Sequence, residues 1–188
     1  MNLIEEEQLI FQIKSEPSKF GILFDKLYPL IFRYIFNRTT NFEISQEIAS
    51  ETFMKAFLNI HSFNWQGISI SYWIYRIATN EISQYFRKQK YRPSSIELLI
   101  ESRGWDIADP RTTIENKSAI EAEVEKHQHF KQVQEQIKLL SLPYQEVLSL
   151  RYFEKKSLKE IALILDKPEG TIKSLHSRAI ARLKKMLL

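Results

Sequence analysis

The stretch from Tyr72 to Arg92 carries five basic residues (Arg76, Arg87, Lys88, Lys90 and Arg92) against one acid, Glu81. At helical spacing Trp73, Ile74, Ile77, Ala78, Ile82 and Phe86 make an apolar side. Arg76, Asn80, Arg87 and Lys88 fall mostly on the other. Such a face suits a nucleic-acid strand: cations attract phosphates, an amide reads base edges, and flat rings such as Tyr72 and Trp73 stack on bases. A solvated amphipathic helix shows the same pattern, so this stretch alone leaves both readings open.

Just upstream, His61 to Ser71 (HSFNWQGISIS) mixes rings and amides around Gly67 and reads as a loop. Phe63 and Trp65 offer stacking faces, and Asn64 and Gln66 offer hydrogen bonds to the edge of an unstacked base. The competing reading is a loop whose aromatics plug the core, and for Phe63 that is the stronger one. A helix from about Phe42 to Ile60 has Ile44, Ile48, Phe53, Ala56 and Phe57 inward and Glu43, Glu47 and Glu51 every four residues on its outer side. Like charges at this spacing repel by a few tenths of a kcal/mol per pair. A basic partner surface or a carboxylate metal site would offset that. A metal would want a histidine nearby, and His61 lies too far along, so no metal is expected. A plain solvated stripe stays open.

The C-terminal stretch is the most specific. Ser157 to Glu160 (SLKE) is a capping box that opens a short helix with Leu158, Ile161, Ala162 and Leu165. A DKPEGT turn follows, with Pro168 suited to the first position of the next helix. That helix places Ile172, Leu175, Ala179, Leu183 and Leu187 inward. Two helices joined by a tight turn, the second cationic, form a helix-turn-helix whose second helix fits the major groove. From Ser141 to Leu188 there are ten Lys/Arg against five Asp/Glu, more net positive charge than the +4 of the whole chain. A simple helical hairpin is the plain alternative.

These segments need elements to hold them. Residues 3 to 14 read as a first helix with Leu3, Ile10 and Ile13 among its apolar positions. Ser18 is placed to cap a second helix running through Phe20, Leu23, Leu27, Ile31 and Ile35, which Pro29 should kink or break. Thr40 and Glu43 have capping-box spacing for the third. Residues 93–117 carry Pro93, Gly104 and Pro110 and a majority of acids, and read as a flexible linker. It divides the chain into a domain at 1–92 and another at 118–188. Helix resumes near Ser118, with Val124, Phe130, Val133, Ile137 and Leu140 as its core side. His127 and His129 point in different directions there, so they make no metal site.

With four glycines, six prolines and apolar residues at threes and fours, the 188-residue chain is expected to be all-α, two small helical domains joined by the linker. It has no cysteine, which excludes disulfides, thiolate metal sites and a cysteine nucleophile and fits a reducing, cytoplasmic setting. No signal peptide and no membrane span are expected. No nucleophile–base pair, phosphate-cradling glycine loop or HExxH is present, so neither a cofactor nor enzymatic chemistry is expected.

Taken together, the chain resembles the bacterial RNA polymerase sigma factors, in particular the small two-domain extracytoplasmic-function (ECF) group. SQEIASETFMKAF (Ser45 to Phe57), YWIYRIATNEISQYFRK (Tyr72 to Lys88) and LPYQEVLSLRYFEKKSLKEIALILDKPEGTIKSLHSRAIARLKKML (Leu142 to Leu187) resemble three of its motifs in order, with a linker between the second and third. The resemblance implies core RNA polymerase as partner through its β′ clamp helices and β flap, promoter DNA as target, and an anti-sigma factor as regulator. It implies that Glu47 and Glu51, with Glu43 and Ser50 beside them, meet the clamp helices. Arg76 and Asn80, with Arg87 and Lys88, would face the −10 element. Tyr72 and Trp73 would wedge against the last paired base, and the loop from Phe63 to Gly67 would capture a flipped one. Lys173, Ser174, Ser177 and Arg178 would contact the −35 element, with Gly170 and Thr171 at the helix entrance and Arg151 on a phosphate. Gln84, Ser50, Leu175 and His176 depart from the usual residues, and Leu175 removes a frequent Arg. The alternative is a stand-alone helix-turn-helix regulator with an N-terminal sensing or dimerisation domain. It has no need of the basic, aromatic helix at 72–92.

Overall fold

A computed structural model describes residues 2–90 and 132–187, and all regular structure among them is helical. In order, α1 is Leu3–Ser15, α2 Phe20–Thr39, α3 Phe42–Asn59 and α4 Ile70–Lys90. Then α5 spans 132–138, α6 is Leu142–Leu148, α7 Leu158–Leu165 and α8 Glu169–Leu187. A π-helical turn, Ser149–Phe153, extends α6. The expected linker at 93–117, the first residues of the expected second domain, and His127 and His129 lie outside the described residues.

α2 is the central strut. Leu23, Leu27, Ile31, Tyr34 and Ile35 recur at threes and fours, and all are buried. α4 answers with Ile70, Ile74, Ala78 and Ile82, spaced by four and wholly buried, a ridge that packs on α2 and α3. The Tyr34 and Thr79 hydroxyls meet at 3.0 Å inside this core. At the other end of the chain, Ile137, Leu140, Tyr144, Leu148 and Ala179 make a smaller cluster that holds α5, α6 and α8 together.

Several local expectations change. α2 runs unbroken through Pro29. Pro29 and Asp25, whose carbonyl loses its partner, both lie in exposed positions, while Leu27 and Ile31 on either side stay buried. Ser18 caps nothing: its hydroxyl donates to the Glu16 carboxylate at 3.0 Å within a 3₁₀ turn, Pro17–Lys19, that leads into α2. Thr40 takes a left-handed conformation (φ 52°) that ends α2, and Asn41 caps α3 by accepting from the Ile44 N–H at 2.9 Å. A reversal this short leaves Thr40 to make the turn and the next residue to cap. Pro168 stands one residue before α8, its carbonyl accepting from the N–H groups of Thr171 and Ile172. Leu3, Phe57 and Leu187 are exposed rather than inward, although the Phe57 ring still meets Phe20 edge-on at 5.2 Å.

The capping box at Ser157 and Glu160 forms as read, with Glu160 N–H donating to the Ser157 hydroxyl at 3.2 Å and Ser157 N–H to the Glu160 carboxylate at 2.7 Å. The two halves do not stand apart. Val147, Leu150, Ile161, Ile164 and Ile172 join the same core as α1 to α4. Ser157→Ala is expected to cost about 1 kcal/mol in urea unfolding. Ser18→Ala should change stability by less than about 0.5 kcal/mol. Equal effects from the two would contradict this assignment of caps.

Candidate nucleic-acid and partner-binding site

The loop ahead of α4 is held from both ends by α1. Lys14 Nζ donates to the Phe63 carbonyl at 2.6 Å. The Glu6 carboxylate accepts from the Ser69 hydroxyl at 3.0 Å and from the Ile70 N–H at 2.9 Å, so an acidic side chain sits on the N-terminus of α4. Between these anchors Gly67 takes φ 72°, which lets the loop turn back to the helix. Sequence reading missed both anchors. Glu6 hides in a run of three glutamates, yet it shares one face with Leu9, Ile10 and Ile13, all buried. That period is the signal that marks it as inward.

The loop and α4 enclose a cleft of about 520 Å³ lined by Phe63, Asn64, Gln66, Trp73, Arg76 and Asn80, among others. Phe63 and Trp73 meet with ring centroids 4.9 Å apart, and both, like Trp65, pack partly against the core. Asn64, Gln66 and Asn80 are exposed, as are Arg87 and Lys88. Thus the structure brings Phe63, Tyr72 and Trp73 and the amides Asn64, Gln66 and Asn80 to one concavity, while Trp65 packs against the core and is not among the residues lining it. The arrangement can stack a planar group and hydrogen-bond its edge.

Arg76 and Tyr72 are turned to a different task. Arg76 donates to the carbonyls of Ile164 at 3.1 Å and Leu163 at 2.6 Å and lies 3.4 Å from the Asp166 carboxylate. A guanidinium there satisfies the last carbonyls of α7 and faces the negative end of its dipole. The Tyr72 hydroxyl donates to Glu160 at 2.6 Å. Burial, and then Glu160, push that phenol up to about 12. Beside them Glu154, its side chain 1% exposed, accepts from Arg33 at 2.9 Å and from the Tyr75 hydroxyl at 2.8 Å. Burial and Glu154 raise Tyr75, and Glu154 raises Arg33. Ser83 donates to Glu146 at 2.7 Å, and Gln134 donates to the Asn37 carbonyl at 2.9 Å.

On α3, Glu43, Glu47, Ser50 and Glu51 are all exposed on one side. Met54 and Leu58, also exposed, extend that face. Lys55 lies 3.1 Å from Glu51 and 2.8 Å from Glu81, so among the described residues only the last carboxylate of the stripe is paired. Among the described residues no cluster of His, Asp and Glu is arranged to hold a metal ion, and no helix is long and apolar enough to cross a membrane.

In the helix-turn-helix, Gly170, Thr171, Lys173, Ser174, Ser177 and Arg178 are exposed near the start of α8, and Arg151 is exposed beside them. Lys173 pairs with Glu169 at 2.7 Å, and Arg151 donates to the Lys156 carbonyl at 3.0 Å. Leu175 is partly buried against both apolar clusters, which accounts for an apolar residue at that position. His176 stacks on Tyr152 with centroids 5.9 Å apart, and burial, then the Arg151 charge, lower its pKa.

Family models match both parts of this arrangement, the cationic, ring-bearing helical module and the helix-turn-helix that follows it. Residues 23–92 match Sigma-70 region 2, and residues 140–185 match Sigma-70, region 4. The chain is 32% identical over 165 residues to the ECF RNA polymerase sigma factor SigW of Bacillus subtilis, covering 87% of this chain and 83% of that one. It is 27% identical over 191 residues to the ECF sigma factor BldN of Streptomyces coelicolor, where it spans 65% of the relative's length. CnrH, in complex with the cytosolic domain of CnrY, has the same fold, with a TM-score of 0.65 at 17% identity over 97% of this chain and 96% of that one. So has RpoE of Bartonella quintana, in complex with the anti-sigma factor NepR, at a TM-score of 0.63 and 22% identity over 90% and 97% of the two chains. This chain belongs to the ECF group of RNA polymerase sigma factors. Its α1 lies ahead of the segment that matches region 2.

Because Arg33 is half exposed, Arg33→Ala should weaken the packing of the two halves by only about 1–2 kcal/mol, below the cost of breaking a fully buried pair. A double-mutant cycle with Glu154→Gln, read by energy transfer between dyes on α1 and α8, measures it. Zero coupling would show that the contact does not hold the halves together.

Proposed function

We propose that this chain is the initiation subunit that brings core RNA polymerase to promoters in the cytoplasm, contributing recognition and strand opening but no catalysis of its own. The observation that carries this is the cleft beside α4. Its paired rings, Phe63 and Trp73, and exposed amides, Asn64, Gln66 and Asn80, suit an unstacked base. Unpairing costs a few kcal/mol per step, which capture of exposed bases there would offset. Glu43, Glu47, Ser50 and Glu51 on α3 form the polymerase-facing surface toward the β′ clamp helices, and their exposure supports it. Arg87 and Lys88 attract the backbone near the −10 element. Gly170, Thr171, Lys173, Ser174, Ser177 and Arg178, with Arg151, serve the −35 element, while the C-terminal domain meets the β flap. The domains take the boundaries 1–92 and 118–188. An anti-sigma protein is a further partner, by analogy with the RpoE–NepR complex.

Arg76 and Tyr72 belong to the DNA-reading face but are spent on α7 in this structure. Reading the −10 element and keeping α7 packed therefore exclude each other, and the halves separate on polymerase. The net charge of +4 is small, so the free protein binds duplex promoter weakly and gains by having both modules on one enzyme.

Run-off transcription with purified core polymerase tests the reading. Glu51→Arg is expected to abolish co-purification with polymerase while the fold persists. Asn80→Ala should slow opening by about tenfold, read from 2-aminopurine at the upstream edge of the bubble, with polymerase binding unchanged. Normal co-purification of Glu51→Arg would refute the role of the acidic stripe. Separation has its own test, because the chain has no cysteine. Ser83→Cys with Glu146→Cys, joined by a short bismaleimide, should block open-complex formation. Full activity of the joined protein would contradict the exclusion.

A further inference from the structure

A second cleft, of about 590 Å³, lies where the two halves meet, away from the loop and α4 entrance. Its walls include Arg38, Phe86 and Arg87 from the N-terminal half and Lys138, Leu142 and Gln145 from the C-terminal half. Among the described residues no Asp or Glu lines it. Arg38 is 3% exposed, yet no described carboxylate pairs with it. One of its nitrogens donates to Gln145 Oε1 at 3.1 Å, and Nη1 has no hydrogen-bond partner among the described residues. Burying a charge without a counter-charge is costly, and proteins ordinarily pair it. The place of Arg38 in the last turn of α2 offsets part of that cost through the helix dipole but leaves Nη1 empty. Lys138 reaches Thr40 at 2.9 Å and Glu135 at 2.6 Å, and Arg87 is exposed.

From this we propose a site for a small phosphorylated anion at the junction of the halves. Arg38, Arg87 and Lys138 would neutralise the phosphate oxygens. Guanidinium groups suit phosphate because their planar donors match its oxygens. The remaining walls, Phe86, Leu140, Leu142 and Pro143, are apolar and suit a flat organic body, so the ligand class is a nucleotide rather than bare phosphate. Because the cations come from both halves, an occupant would hold the halves together. The site uses none of the residues assigned above to polymerase or to the −35 element; it shares Arg87 with the −10 assignment, and Arg38, which has no part in that assignment, separates the two.

Calorimetry on the full chain tests it, with GDP and pyrophosphate as probes and sodium chloride fixing ionic strength. One-to-one, saturable binding of GDP is expected, tighter than pyrophosphate. Arg87→Ala, a surface change that spares the fold, should weaken it about tenfold, and Arg38→Gln at least as much. Heat no different from the chloride control would overturn the proposal, as would unchanged GDP affinity in Arg87→Ala. The chain's own segment at 93–117 also carries carboxylates, including Glu97, Glu101, Asp106 and Asp109. If GDP binds only after these four are changed to amides, an internal carboxylate fills the cleft and the proposal fails.

Discussion

One buried carboxylate governs how the two halves of this protein meet. Glu154 lies at the end of the π-helical turn, inside an interface whose other groups are mostly apolar. A carboxylate taken out of water needs donors, and two come from the N-terminal half, Arg33 on α2 and Tyr75 on α4. Those contacts fix α7 against α4. With α7 in place, Arg76 and Tyr72 fall within reach of its last carbonyls and its capping glutamate. Glu160 thereby closes its own helix and receives the neighbouring phenol, so local helix formation and domain packing share one side chain.

Much of this was written in local pattern. Ile74, Ala78 and Ile82 announced the buried ridge of α4 by spacing, whereas Ile70, read as the end of the loop, is the buried first residue of that helix, and the Ser157–Glu160 box and the turn after Leu165 marked the helix-turn-helix. Asn64, Gln66 and Asn80 could be chosen as exposed amides because they sit outside any apolar period. What stayed hidden was of two kinds. Short reversals defeated the capping rules, since Thr40 and Asn41 are both acceptable caps and only the backbone turn decides between them. Long-range partners left no local mark. Glu154 meets Arg33 across 121 residues and Tyr75 across 79, and Glu6 meets Ile70 across 64.

Pro29 shows the reverse case, in which a strong local rule loses to packing. The apolar face of α2 is long enough for burial of Leu27 and Ile31 to carry the helix past the missing N–H. Tyr75 shows the same override for polarity. Its position between Ile74 and Arg76 gives no hint of burial, and its hydroxyl is tolerated inside because it donates a hydrogen bond to Glu154.

The double use proposed for Arg76 reaches beyond this single molecule. A partner that needs that guanidinium free sees only the fraction of protein in which α7 has let it go, and its apparent affinity falls by that fraction. A change of about 1.4 kcal/mol in the grip of α7 then shifts that affinity about tenfold. Rival subunits drawing on one enzyme pool would accordingly be ranked by how tightly each folds upon itself, and a mutation remote from every binding surface would be enough to reorder them.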